Sequence, residues 1–215
     1  MAERILLTGG LGQLGSELAV ALAKRYGEDA VVVTDVREPA EPGPGRFYRL
    51  DARDGARLAE LVRDERITRV YHLAALLSAV AEARPQDAWE INMGGLFAVL
   101  EVAREYGLSV FTPSSIGAFG PQTPREFTPQ DTIQRPTSMY GVTKVSGELL
   151  CDYYYFKYGV DTRGVRFPGI ISNVTPPGGG TTDYAVEIYY AAVLERRYTC
   201  FLQGDTYLDM IYMPD

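Results

Sequence analysis

Histidine, cysteine and tryptophan are nearly missing from this chain, whose 215 residues include one, two and one of them. A single histidine, His72, leaves no histidine-based metal site to build and makes any serine/histidine/acid triad depend on that one residue. Cys151 and Cys200 are too few and too poorly spaced for a disulfide framework or a metal site, so no metal is expected. No apolar run approaches the ~18 residues of a membrane span. Met1-Ala2-Glu3-Arg4, followed at once by a strand-like run, is not the pattern of a secretory signal, and a cytoplasmic location is expected. Basic residues are in deficit, 21 Lys and Arg against 28 Asp and Glu for a net charge of −7, so nucleic acid is not an expected partner. With 46% apolar and 23% charged residues, the chain has the profile of a soluble globular protein with material for one substantial core.

Periodicity orders the chain as alternating strands and helices, the mark of an α/β fold with a doubly wound parallel sheet. Strands are predicted over 4–8, 30–35, 47–50, 69–75, 110–112 and 162–167, with a short strand-like run at 198–202. Helices are predicted over 11–25, 54–65, 86–106, 138–158 and 184–196. Between the first strand and helix lies Thr8-Gly9-Gly10-Leu11-Gly12-Gln13-Leu14-Gly15. Gly9 permits a tight turn there, Gly12 lets backbone approach a pyrophosphate, and Gly15 lets the helix pack against the strand, with phosphates at the helix N-terminus. Asp35 ends the second strand about 20 residues on, where a carboxylate would bond adenosine ribose hydroxyls. It argues for NAD, since a 2′-phosphate would meet a like charge, with Arg37 beside it as the opposing influence. Asp51 follows the third strand, where it could meet the adenine, and His72 reads as a strand-end residue under the cofactor rather than as a general base.

The fifth strand delivers Ser114 and Ser115 at its carboxyl end, the side on which such sheets bind ligands. Residues 120–135 form a polar, proline-containing loop long enough to cover a site. Pro136 discourages helix before it, and Thr137 is the candidate cap of the helix carrying Tyr140 and Lys144. Residues four apart on a helix share a face, so a cation stands beside a phenol whose ordinary pKa is ~10 and would stabilise the phenolate. The dense aromatics Tyr153 to Phe156 and Tyr158 cannot all face one core, and part of them is expected to form a subunit interface in a homodimer, together with the helix bearing Trp89.

With the glycine loop, Asp35, the two serines and the Tyr140/Lys144 pair in this order, the chain resembles the extended short-chain dehydrogenase/reductase family. Within it, the run from Ser114 to Ser172, then TPPGGGTTDYAVEIYY and YTCFLQGDTYLDMIYMPD, are similar to the short-chain L-threonine 3-dehydrogenases, PGGGTTDYA being the most specific segment. The resemblance covers essentially the whole chain. It implies a Rossmann-type fold, with 1–170 as an NAD-binding domain and 171–215 as a partial substrate-binding lobe, because members of that family run roughly a hundred residues further. It also implies threonine catabolism: oxidation of the 3-hydroxyl of L-threonine by NAD to 2-amino-3-ketobutyrate. Tyr140 is then the general base, Lys144 holds the nicotinamide ribose and lowers the tyrosine pKa, and Ser115 bonds the reacting oxygen. The cofactor would lie against Gly9, Gly12, Gln13, Leu14, Gly15, Asp35, Asp51, Leu73, Ala74, Ala75, Asn92, Tyr140, Lys144 and Pro168, with Asn92 supporting the lysine or a water. Ser78, Ser114, Thr181 and Thr182 are the candidates to hold the amino acid, although Thr182 or Asp183 would equally cap the following helix. Two other readings use the same residues. A nucleotide-sugar epimerase or dehydratase would need a larger pocket than the short Gly/Thr-rich region after Pro168 suggests. A non-catalytic NAD-sensing module would have no use for a lysine-activated tyrosine.

Overall fold

Two largely apolar runs that turn polar only at their carboxyl ends, Ile5–Thr8 (β1) and Val31–Asp35 (β2), are buried along their whole length, as strands covered on both faces must be. This computed structural model describes residues 3–172, 174–176 and 178–215; Met1 and Ala2 of the amino terminus, Asn173, and Pro177 of the glycine-rich stretch lie outside the described residues. The chain runs β1, α1 (Gln13–Tyr26), β2, β3 (Arg46–Arg49), α2 (Gly55–Asp64), β4 (Arg69–His72), α3 (Ser78–Ala83), α4 (Pro85–Tyr106), β5 (Ser109–Phe111), β6 (Ser114–Ser115), α5 (Met139–Tyr158), β7 (Thr162–Arg163), β8 (Arg166–Phe167), β9 (Gly169–Ile171), α6 (Tyr184–Leu194) and β10 (Met210–Tyr212). Six strands form a parallel sheet in the order β3-β2-β1-β4-β5-β7. The order reverses between β1 and β4, which opens a crevice at their carboxyl ends.

Alternation along the strands builds one core on each face. Leu6, Val32, Val70 and Val110 point to the side where α2, α4 and α5 contribute Leu58, Leu61, Leu96, Leu100 and Tyr154. Ile5, Leu7, Val31 and Val33 point the other way, onto Ala19 and Leu22 of α1. Each fully buried aliphatic side chain contributes about 1.5–3 kcal/mol relative to exposure.

The expected strand over 162–167 is two short strands, β7 and β8, with β9 following at Gly169–Ile171. β7 pairs with β5, β8 with β6, and β9 with β10. Pro113, which has no N–H to donate, separates β5 from β6, while Thr112 N and Ser114 N still bond Arg163 O (2.9 Å) and Val165 O (2.8 Å). Residues 198–202 form no strand; the strand lies at β10, paired in parallel with a partner about 40 residues earlier. α3 is too short to leave a periodic signal, and α5 is capped by Ser138 rather than Thr137, its hydroxyl accepting Gly141 N–H at 3.1 Å. Of the aromatic patch, Tyr154 is inside, whereas Phe156 is 82% exposed and Tyr153, Tyr155 and Tyr158 are also at the surface. Among the described residues no helix is long and apolar enough to cross a membrane.

Gly9 sits at φ +68°, and a Cβ there would lie 2.7 Å from the backbone of Ala74. Gly9→Ala is therefore expected to lower the unfolding free energy by about 1–3 kcal/mol, the range for a non-glycine residue in the left-handed region. Urea denaturation measures this, and a loss below about 0.5 kcal/mol would contradict the packing described.

Candidate active site

The β1–α1 loop turns back on itself at Gly9, and Gly12 caps α1 without any side-chain bond, so the first amides of the helix face outward. A Cβ at Gly12 would meet only Gly9 O, at 3.3 Å, leaving one side of the loop open. Gly15 packs against the loop itself, a Cβ there lying 2.7 Å from Gly10 Cα and Gly9 O; this corrects the expectation that it packs on the strand. Asp35 stands at the end of β2, buried, with Oδ2 accepting Leu11 N–H (3.1 Å) and Oδ1 accepting the N–H and Nε–H of Arg37 (both 3.1 Å). Arg37 is thus occupied by Asp35. Asp51 is likewise occupied by Arg53, the Nη2–Oδ2 distance being 2.6 Å, and that pairing holds its carboxyl below the usual carboxylate range.

From the ends of β4 and β6 and the start of α5, Leu73 to Ala75, Ser114, Ser115, Tyr140 and Lys144 enter one cavity of about 1150 Å³. The glycine loop, Gln13, Leu14, Asp35 and Asp51 line it at one end; Ser78, Pro168, Thr181 and Thr182 line it at the other. Gly179 O accepts Ala79 N–H (3.1 Å), Thr181 N–H bonds Ser78 Oγ (3.0 Å), and the two hydroxyls are 2.9 Å apart. The glycine-rich segment is thereby docked on the start of α3. Asp183 does not cap α6 with its side chain: its carboxylate accepts Gly179 N–H (2.8 Å) and Gly180 N–H (2.7 Å) and shapes the loop instead.

Three expectations need correction. Ser114 lines the cavity, but its hydroxyl is not free for a ligand: it donates to Glu148, while Ser115 Oγ accepts Gly117 N–H at 3.1 Å. Asn92 makes no hydrogen bond to the lysine: its amide clamps the Leu76 backbone (2.7 and 3.1 Å) and donates to Thr143 Oγ1 (3.1 Å). Tyr140 does not stand below the ordinary tyrosine value. Burial raises its phenol above the ordinary tyrosine value, with only the hydrogen bond from Ser115 opposing, and Lys144 Nζ stands 5.3 Å from the ring centre while donating to Pro113 O (2.7 Å). Burial also brings Lys144 itself down to about 8, the Glu148 carboxylate acting against it. His72 is buried beside Thr8, whose hydroxyl lies 2.8 Å from Nδ1; burial and then the Lys144 cation hold it down at about 3, so it is neutral and no base for the cavity. Among the described residues no group of three metal-ligating side chains converges.

A second cavity, about 790 Å³, lies behind Lys144 and is lined by Glu148, Arg166, Gln134 and Asp131 among others. None of these four stood out in the sequence. Glu148 alone left a signal, four residues past Lys144 on the same helical face.

The profile of the NAD dependent epimerase/dehydratase family matches residues 5–215. The chain is 59% identical to an uncharacterized epimerase/dehydratase of Staphylococcus saprophyticus, over 99% of this chain and 68% of that one. Its fold superposes on L-threonine dehydrogenase from Clostridium difficile with a TM-score of 0.94 at 55% identity, covering 99% of this chain and 68% of that chain. A monomeric L-threonine 3-dehydrogenase from a metagenome gives 0.95 at 45% identity, covering 98% and 68%. Because that relative is described as monomeric, the expected homodimer gains no support.

His72 supplies a pH signature. Its folded value, about 3, lies below the ordinary 6.5, so the stability it contributes is complete above pH 6.5 and is lost as pH falls towards 3. Replacing it by asparagine (His72→Asn) is expected to reduce the acid-side slope of stability by up to about 1.4 kcal/mol per pH unit. Urea titrations at pH 7 and pH 5 measure it, and parallel slopes for both proteins would contradict a neutral buried histidine.

Proposed function

The chain belongs to the NAD dependent epimerase/dehydratase family, and on that premise we propose that it oxidises the 3-hydroxyl of L-threonine to the ketone of 2-amino-3-ketobutyrate with NAD. One observation carries this reading: a single cavity has the glycine loop at one end, Tyr140, Lys144 and Ser115 in the middle, and the paired hydroxyls of Ser78 and Thr181 at the other. The resemblance of the Gly178–Asp183 region to threonine dehydrogenases, and the two similar structures of that activity, support the substrate.

The residues present suit a dinucleotide. Gln13 Nε2 is buried with no partner among the described residues, at the first turn of α1, where an unsatisfied donor would be answered by a phosphate oxygen. Gly12 leaves room for that approach, and Asp35, with Arg37 held to it, favours ribose hydroxyls over a 2′-phosphate. Bound there, NAD supplies the hydride acceptor. Ser115 hydrogen-bonds the substrate oxygen, Tyr140 takes the hydroxyl proton as the carbon-bound hydrogen leaves with its electron pair, and Lys144 contributes positive charge beside the phenol and holds the ribose. Since burial raises Tyr140, that charge and the Ser115 bond must act together to make it a base. Ser78 and Thr181 hold the small zwitterion, and Thr182, packed on Gly169, fixes the wall beside them. We assign 1–170 to the cofactor and 171–215 to part of the substrate lobe.

Tyr140→Phe is expected to cut threonine-dependent NADH formation by ~10²- to 10⁴-fold, the worth of a placed base, while NAD still binds. NADH absorbance with L-threonine, and separately with UDP-glucose, reads this out. Equal turnover in the variant would overturn the base, and response to UDP-glucose alone would favour the epimerase reading.

A further inference from the structure

α5 carries a third ionisable side chain in line with the first two. Tyr140, Lys144 and Glu148 recur every four residues and share one helical face. The Glu148 carboxylate is partly enclosed and accepts hydrogen bonds from Ser114 Oγ, Arg166 Nε (2.9 Å), Arg166 Nη2 (2.7 Å) and Gln134 Nε2 (2.9 Å). The donors come from β6, from β8 and from the segment preceding α5. Arg166 is braced in turn by Nη1 donating to Gln130 O (3.1 Å). Burial alone would raise Glu148, but these bonds outweigh it and keep its carboxyl below the usual range.

Lys144 has no comparable set of partners. Its ammonium is partly buried between the two cavities, donates to Pro113 O, and forms no ion pair within 4.0 Å among the described residues. A buried ammonium tends to shed its proton, and an uncharged amine would give the neighbouring phenol no electrostatic help. We propose that Glu148 is a positioning residue that keeps Lys144 in its charged form, its own negative charge being locked in place by Arg166, Ser114 and Gln134. This rests on the catalytic reading of Tyr140 and Lys144 and adds to it the group that maintains the lysine charge. Glu148 lies four residues past Lys144, a rise of ~6 Å along the helix axis.

The charged and titratable groups around Lys144 can be named. Tyr140 and Glu148 are on its own helix, with Cys151 and Asp152 further along it; His72, neutral, is on β4 and Arg166 is on β8. Asp131 and Asp152 act on Arg166, and α4 presents the uncharged amide Asn92. Glu148 is the charged group that raises Lys144.

The chain has three lysines, Lys24, Lys144 and Lys157, so lysine labelled with ¹³C at Cε gives three signals that Lys24→Arg and Lys157→Arg assign. Their pH titration by NMR needs neither cofactor nor substrate, so its outcome is independent of whether threonine is oxidised. Glu148→Gln, which keeps the side chain's shape and removes its charge, is expected to lower the Lys144 midpoint by about one pH unit, a tenfold change in its ionisation constant, with Lys24 and Lys157 unmoved. Arg166→Met breaks the same tie but leaves the carboxylate charge, and the midpoint is expected not to fall. An unchanged midpoint in Glu148→Gln, or an equal fall in both variants, would overturn the proposal. If Glu148→Gln lacks a cooperative melt, Glu148→Asp carries the test: the charge withdraws by one methylene, a smaller fall is expected, and no change or a rise would overturn it.

Discussion

Everything at the centre of this molecule depends on how closely two backbone segments touch. The first turn of α5 is pressed against the turn Ile116–Ala118, so tightly that a Cβ at Gly141 would fall inside contact distance of Gly117 O and of the Pro136 ring. Gly117 is in turn covered by the Tyr140 ring, and its amide is bonded to Ser115 Oγ. Ser138 caps the helix at this point and sets where its first turn begins. Because atoms here meet at van der Waals limits, Tyr140 and Ser115 have little freedom to part, and a site that needs two oxygens in register obtains it from packing rather than from loops.

The same packing creates the electrostatic problem that the surrounding residues answer. Burial lowers Lys144 to about 8, lowers His72 to about 3 and raises Tyr140, each towards its uncharged form. Two cavities flank the lysine, one towards the glycine loop and one towards Glu148 and Arg166. The first is where chemistry is proposed; the second holds the anion that opposes the lysine's loss of charge. A cation placed between a ligand cavity and a fixed carboxylate can serve the former without being neutralised by a direct pair.

What could be read from the chain, and what could not, divides by distance along it. The strand, glycine loop and helix at 4–25, Asp35 at a strand end and the Tyr140/Lys144 spacing are local patterns, and the structure has the loop, the strand end and the shared helical face they imply. Ser78, Thr181 and Thr182 line the same cavity, and they are candidates by resemblance rather than by spacing. The charge states were not legible, because burial is made by elements distant in sequence: Lys144 is enclosed by segments from β4, α4 and β6. The tie of the Ser114 hydroxyl to Glu148 was not legible either, its partner lying 34 residues further along the chain. Asn92 and Glu148 bond to residues 14 to 51 positions away, and nothing in their immediate neighbours announces it.

The central claim is that the hydrogen on the hydroxyl-bearing carbon of L-threonine is transferred as hydride in the Tyr140 cavity. The most direct measurement supplies L-threonine deuterated at that carbon together with NAD and weighs the coenzyme by mass spectrometry. The account predicts reduced coenzyme carrying one deuterium and a matching amount of 2-amino-3-ketobutyrate. Coenzyme left unreduced, or reduced without deuterium, would contradict it.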